Sequence, residues 1–179
     1  VKEIIEHCKK GNPLAQRMLF DTYYRQMYNL SMRILSDHHD VEDVFVISFT
    51  KVFGNIHRFE YRGDQSLKKW IKTILINEAI RFLKAKNKTG FDDGRSENEL
   101  YRIPDGEAEV EAIDAEEVYS ILETMPAGYR VVFNLFALEG YTHKEISELL
   151  NITENTSKSQ LRKARMYIIG KMNKNKQNG

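Results

Sequence analysis

Residues 140–165 read GYTHKEISELLNITENTSKSQLRKAR, and this stretch decides the fold of the C-terminal part. Thr142 and Glu145 have capping-box spacing, in which a hydroxyl and a carboxylate satisfy two orphaned amides at a helix start. Ile146, Leu149 and Leu150 then give a short helix one apolar edge. Asn151 stands where that helix must stop and the chain reverse, and asparagine tolerates the left-handed conformation such a turn uses. Thr153 can cap a second helix, in which Ser157, Leu161, Ala164 and Ile168 recur at intervals of four, three and four. That seam is an inner face. Asn155, Lys158, Ser159, Arg162 and Lys163 fall largely off it, where they can hydrogen-bond base edges or neutralise phosphates. An ordinary helical hairpin with a solvated lysine face is the competing reading. A capped short helix, a turn residue and a cationic second helix together favour a DNA-binding helix-turn-helix.

Outward from this motif, the composition is that of a helical protein. Proline is scarce, with 3 residues, and apolar residues recur mostly at intervals of three and four. No run of about 18 apolar residues exists to span a membrane, and the first residues carry no signal-peptide pattern. The single cysteine, Cys8, excludes an internal disulfide and fits a reducing compartment, so a cytoplasmic location is expected. The overall charge of +1 hides an uneven distribution. Between Phe91 and Glu117 there are 11 acids against Arg95 and Arg102, a net of −9, which leaves +10 on the remainder. Two basic bodies are joined by an acidic strap.

The expected fold is all-α, with two small helical domains. Residues 1–88 form the first. A helix should run from near Asn12 to Leu35, with Leu14, Met18, Leu19, Tyr23, Met27, Ile34 and Leu35 among its apolar positions. Residues 36–40, SDHHD, are a polar break that can cap the next helix, where Val41, Val44, Phe45, Ser48, Phe49, Val52, Phe53 and Ile56 trace one face. After a loop from His57 to Gln65, a third long helix extends from Ser66 to about Lys86, completing a small bundle. Residues 89–112 are poor in apolar side chains and rich in acids, and read as a flexible acidic linker, either a mimic of nucleic acid or a plain solvated tether that avoids the basic surfaces. Residues 113–179 form a four-helix second domain. One helix should reach Met125, and Pro126 should open another to about Leu138 before the helix-turn-helix, with Val118, Ile121, Leu122, Val132, Phe133, Leu135 and Phe136 in a small core.

The third helix of the first domain is a second basic element. Seven Lys or Arg accompany a single acid, Glu78, between Ser66 and Lys88. Lys68, Lys69 and Lys72 lie to one flank, while Asn77, Arg81 and Lys84 run along another. The loop before it carries Phe59, Tyr61 and Arg62, and a basic helix beside aromatic residues suits unstacked bases. Phe59 and Trp70 can instead be core residues, and Trp70, which falls in the apolar stripe, is expected there. On the second helix, Val46 and Ile47 share an otherwise polar face with Asp43, either as a protein contact surface or as the scattered exposed apolar residues common on any protein. Catalytic patterns are weak. Adjacent His38 and His39 diverge on a helix, no further metal-ligand spacing accompanies them, and no Gly-rich phosphate loop precedes a helix. Neither an enzyme nor a cofactor is expected.

These motifs, in this order, resemble the compact sigma-70-family initiation factors of bacteria known as the extracytoplasmic-function (ECF) group. Asp40-Val41-Glu42-Asp43 resembles the Asp-Ala-Glu-Asp start of that family's second conserved segment, and residues 49–53, FTKVF, continue it suitably. Residues 67–71 (LKKWI) and 76–79 (INEA) resemble the segment that opens and reads the −10 element. Residues 125–133 (MPAGYRVVF) and 139–142 (EGYT) resemble the approach to the −35-reading helix-turn-helix. The resemblance implies that core RNA polymerase and promoter DNA are partners, with an anti-sigma factor as an expected third. It implies polymerase contacts at Asp40, Glu42, Asp43, Val46 and Ile47, and −10 contacts at Phe59, Tyr61, Arg62, Lys68, Lys69, Lys72, Asn77 and Arg81. It implies −35 contacts at Asn155, Lys158, Ser159, Gln160, Arg162 and Lys163. The chain departs from the family at Val46 and Ile47, where glutamine and an acid are usual, and at Asn151, where glycine is. Ser157 replaces an inner-seam valine, with a small stability cost expected, and Gln160 stands where arginine is common. A stand-alone helix-turn-helix regulator, whose first domain dimerises or senses a ligand, is the alternative function.

Overall fold

Asn12 and Asp37 sit where a helix start needs a side-chain acceptor, and both act as caps. Asn12 accepts from the amides of Leu14 and Ala15, Pro13 takes the first helical position, and helix α2 (Pro13–Leu35) runs on from there. Asp37 accepts from the amides of His39 and Asp40 at the head of α3 (His38–Asn55). In a computed structural model, which describes residues 1–86 and 115–177, the chain divides into two compact units, Val1–Ala85 and Lys86–Gly179. Every regular element among the described residues is helical, so the architecture is all-α. No helix among them is long and apolar enough to cross a membrane. The acidic strap of residues 89–112, the helix start near Ile113 and the side chain of Val118 lie outside the described residues.

The first unit opens with α1 (Lys2–Lys9), a helix that the sequence pattern does not distinguish from its surroundings. Ile5 and Cys8 bury its inner edge, and it packs on α2 and on the 3₁₀ turn Ile56–Arg58. In α3, Val41, Val44, Phe45, Ser48, Phe49, Val52 and, at the 3₁₀ turn, Ile56 are all buried, which is the expected stripe; Phe53 is half-buried. Helix α4 runs Asp64–Lys86 and buries Leu67, Ile71, Leu75, Ala79 and Leu83.

Three residues read as apolar or core positions lie outside the core. Leu14 and Met18 are 69% and 48% exposed, because the buried line of α2 runs through Ala15, Leu19 and Tyr23, and each sits a step of about 100° off it. Trp70 is half-buried, one such step from buried Ile71, with its ring 4.9 Å from that of Phe59.

The second unit contains α5 (Ala115–Thr124), α6 (Ala127–Phe133), α7 (His143–Leu150) and α8 (Glu154–Gln177). Pro126 leads into α6, which continues as a wide π turn, Asn134–Leu138, so the helical path reaches Leu138 as expected. Two buried polar side chains serve the backbone there. Arg130 Nη1 donates to the Met125 carbonyl at 2.8 Å, and Asn134 Nδ2 donates to the Arg130 carbonyl at 2.8 Å. Tyr167 of α8 donates to the Thr124 carbonyl at 2.7 Å, fastening α8 to the end of α5. Ile121, Leu122, Val132, Phe133 and Leu135 are core, and Phe136 is half-buried.

Candidate nucleic-acid interface

The helix-turn-helix is built by its termini. Thr142 Oγ1 accepts from the Glu145 amide at 3.2 Å while the Thr142 amide donates to Glu145 Oε2 at 2.8 Å, a complete capping box. Asn151 ends α7 with φ 58° and ψ 50°, the left-handed conformation, and Thr153 accepts from the Thr156 amide to start α8. Ser157, Leu161, Ala164 and Ile168 are all buried, so the four-three-four seam is the inner face. His143, the first residue of α7, shares a 2.9 Å hydrogen bond with Ser157 Oγ and stacks on Phe136 at 4.5 Å. The Ser157 hydroxyl is therefore paired within the seam. Burial, then the nearby Lys158, hold the His143 pKa below its ordinary value; Glu154 pulls the other way and Arg165 adds to the lowering.

This frame presents Asn155, Lys158, Ser159 and Arg162 together on one exposed face of α8. Gln160 is a correction. It lies about 140° round the axis from Asn155, three residues after Ser157 and four before Ala164, so it belongs to the seam and is 3% exposed. Its amide packs beneath Gly128 of α6, where a Cβ would lie 3.2 Å from Gln160 Oε1; the glycine allows that approach. Lys163 is half-buried at the margin of the exposed face, its ammonium 5.8 Å from the centroid of the Tyr129 ring.

In the first unit, Lys51, Asn55, Arg58, Phe59, Trp70, Ile74, Asn77, Glu78 and Arg81 line a cleft of about 600 Å³. Asn77 and Arg81 stand exposed on α4, and Trp70 presents part of its ring from the same side. Lys51, Asn55 and Arg58 come from the end of α3 and the 3₁₀ turn, and spacing along the sequence does not point to them. Phe59 is 9% exposed and lies against Trp70, so it supports that ring instead of offering a free stacking face. Tyr61 is half-buried and donates to Asp64, a bond that raises its pKa. Arg62 is exposed and pairs with Glu60 at 2.9 Å. Lys69 is exposed, whereas Lys68 and Lys72 are half-buried. Lys68, nine residues before Asn77, projects about 180° round α4 from it, and Lys72 about 140°. The cleft therefore gathers Asn77 and Arg81 but neither Lys68 nor Lys72.

The outer face of α3 carries Glu42, Asp43, Val46 and Ile47, all exposed, with Asp40 half-buried at its head. Val46 and Ile47 are 69% and 44% exposed, an apolar pair beside two acids. Among the described residues no group of three or more His, Cys, Asp or Glu is placed to hold a metal ion.

Comparison with known proteins adds two ordered family matches. Residues 19–89 match Sigma-70 region 2, and residues 115–168 match Sigma-70, region 4. The chain is 25% identical over 183 residues to the ECF RNA polymerase sigma-E factor of Haemophilus influenzae, covering 94% of this chain and 93% of that protein. It is 26% identical over 175 residues to the ECF RNA polymerase sigma factor SigW of Bacillus subtilis, covering 92% of each. Its fold is similar to the sigma factor RpoE solved with the anti-sigma factor NepR from Bartonella quintana, with a TM-score of 0.51 at 18% identity over 85% of this chain and 92% of that one. CnrH, solved with the cytosolic domain of CnrY, gives a TM-score of 0.50 at 16% identity over 95% of both chains. With both regions matched in order and relatives of one group aligned along more than nine-tenths of its length, the chain belongs to the sigma-70 family of RNA polymerase sigma factors, in the ECF group.

Proposed function

We propose that the chain binds core RNA polymerase and directs it to promoters through three separate surfaces. The face of α8 bearing Asn155, Lys158, Ser159 and Arg162 enters the major groove at the −35 element, where phosphate contacts fix register and Ser159 and Asn155 read base edges. The cleft around Asn77, Arg81 and Trp70 receives the non-template strand of the −10 element. Melting there requires a new partner for each unstacked base, and an aromatic face beside an amide supplies stacking and hydrogen bonds. The acidic, apolar face of α3 (Asp40, Glu42, Asp43, Val46 and Ile47) docks on the polymerase. The carrying observation is the order of the two sigma region matches, with an exposed polar and basic helix face in one and a cationic, aromatic-walled cleft in the other.

The protein acts as an initiation factor and contributes no catalytic group, so its place is the cytoplasm with the polymerase. An anti-sigma protein is a further partner; the similar RpoE was solved with the anti-sigma factor NepR, and CnrH with the cytosolic domain of CnrY. Runoff transcription with purified core polymerase and genomic fragments tests the assignment. Asn77→Ala should slow strand opening more than recruitment, and Lys158→Ala should weaken recruitment. Tight binding to a palindromic duplex without polymerase, and no transcription with it, would replace this reading by the stand-alone regulator.

A further inference from the structure

Glu78 is the single acid among seven Lys and Arg between Ser66 and Lys88, yet it is not a solvated charge: it is 8% exposed in the wall of the cleft. Its Oε1 lies 2.7 Å from Lys51 Nζ of α3 and 3.1 Å from Arg81 Nη1 one turn along α4. Both cations are far more open than the acid, with side chains 40% and 70% exposed against 10%. A carboxylate facing a polyanion would repel it, unless the charge is already committed to cations of the same wall. Lys and Arg side chains left free at such a site are mobile and pair with any phosphate within reach, and phosphate contacts carry no sequence information.

We propose that Glu78 is a positioning residue of the nucleic-acid cleft: it tethers Lys51 and Arg81, so that selection falls to Asn77 and Trp70 instead of to indiscriminate phosphate pairing. This rests on the reading of the cleft as the −10 strand site. The tether also spans from α3 to α4, so a purely structural clamp is the alternative, and the two differ in what Glu78→Gln does. The substitution keeps the shape of the side chain, removes its charge and releases both cations.

The full chain in complex with core polymerase is titrated with two labelled single strands at several salt concentrations. One carries the −10 element of a promoter identified by runoff transcription, the other a scrambled sequence. Glu78→Gln should tighten binding of the scrambled strand, and the cognate-to-scrambled ratio should fall about fivefold. The slope of log affinity against log salt should steepen by about 0.7 for each cation released. Glu78→Asp, which keeps the charge, should restore part of the ratio. A parallel loss for both strands would make Glu78 a clamp only, and an unchanged ratio and slope would remove its role. Asn77→Ala separates the two levels of failure. If that variant loses the preference while Glu78→Gln keeps it, the tether is wrong and the cleft stands; if Asn77→Ala keeps the preference as well, the cleft itself is misassigned.

Discussion

Single residues set the geometry of the recognition motif, and two of them can be weighed directly. Asn151 holds φ 58° at the turn, a conformation that costs an ordinary L-residue about 1 kcal/mol and glycine almost nothing. Asn151→Ala should lower the unfolding free energy by about 1 kcal/mol in a denaturant titration, and Asn151→Gly should match or exceed the parent. His143 gives a pH dependence of definite sign. Its pKa is lowered in the folded chain, chiefly by burial, so the unfolded state binds the proton more readily. Its contribution to stability is complete above the ordinary value of 6.5 and is lost as pH falls through 6.5 towards the lowered folded value. Melting curves between about pH 7.5 and 5 should therefore flatten in His143→Gln. The serine in the inner seam reads as a flaw from sequence, because its partner is 14 residues away; the His143 hydrogen bond supplies what a valine there would not need.

At the scale of helices, periodicity was legible wherever a single face is buried. The seam of α8 and the stripe of α3 come from spacing alone, since a helix packed on one side repeats its apolar positions at three and four. Gln160 shows where residue type misleads. A glutamine reads as surface and as a base contact, but its position relative to Ser157 and Ala164 turns it inward under Gly128. Gln160→Ala should therefore destabilise the second unit by about 1–2 kcal/mol while leaving −35 base preference unchanged, and Ser159→Ala should do the reverse. Thermal melts paired with binding to a set of duplex variants measure both. The cleft was only half legible. Asn77 and Arg81 lie on one helix face and could be found from spacing, but Lys51, Asn55 and Arg58 arrive from the far end of α3 and the turn after it. No local pattern announces a neighbour that tertiary packing brings. Helix α1 was missed because eight residues with Ile5 and Cys8 inward leave too short a pattern to separate from noise.

For the whole molecule, the order of motifs carried more information than any one of them, as the region 2 and region 4 matches in sequence show. The proposed polymerase-docking face of α3 gives a prediction at this scale. Val46 and Ile47 contribute little to the fold, being 69% and 44% exposed, and each would bury apolar area only against another protein. Val46→Asp and Ile47→Asp should each weaken association with core polymerase about tenfold or more without shifting the melting temperature, as read by holoenzyme titration and calorimetry. Finally, Cys8 is 2% exposed on the inner edge of α1, and burial raises its pKa. The thiolate that peroxides and electrophiles attack is thus scarce and shielded. With no second native thiol to compete, a cysteine engineered onto its surface would take up a spectroscopic label at that site alone.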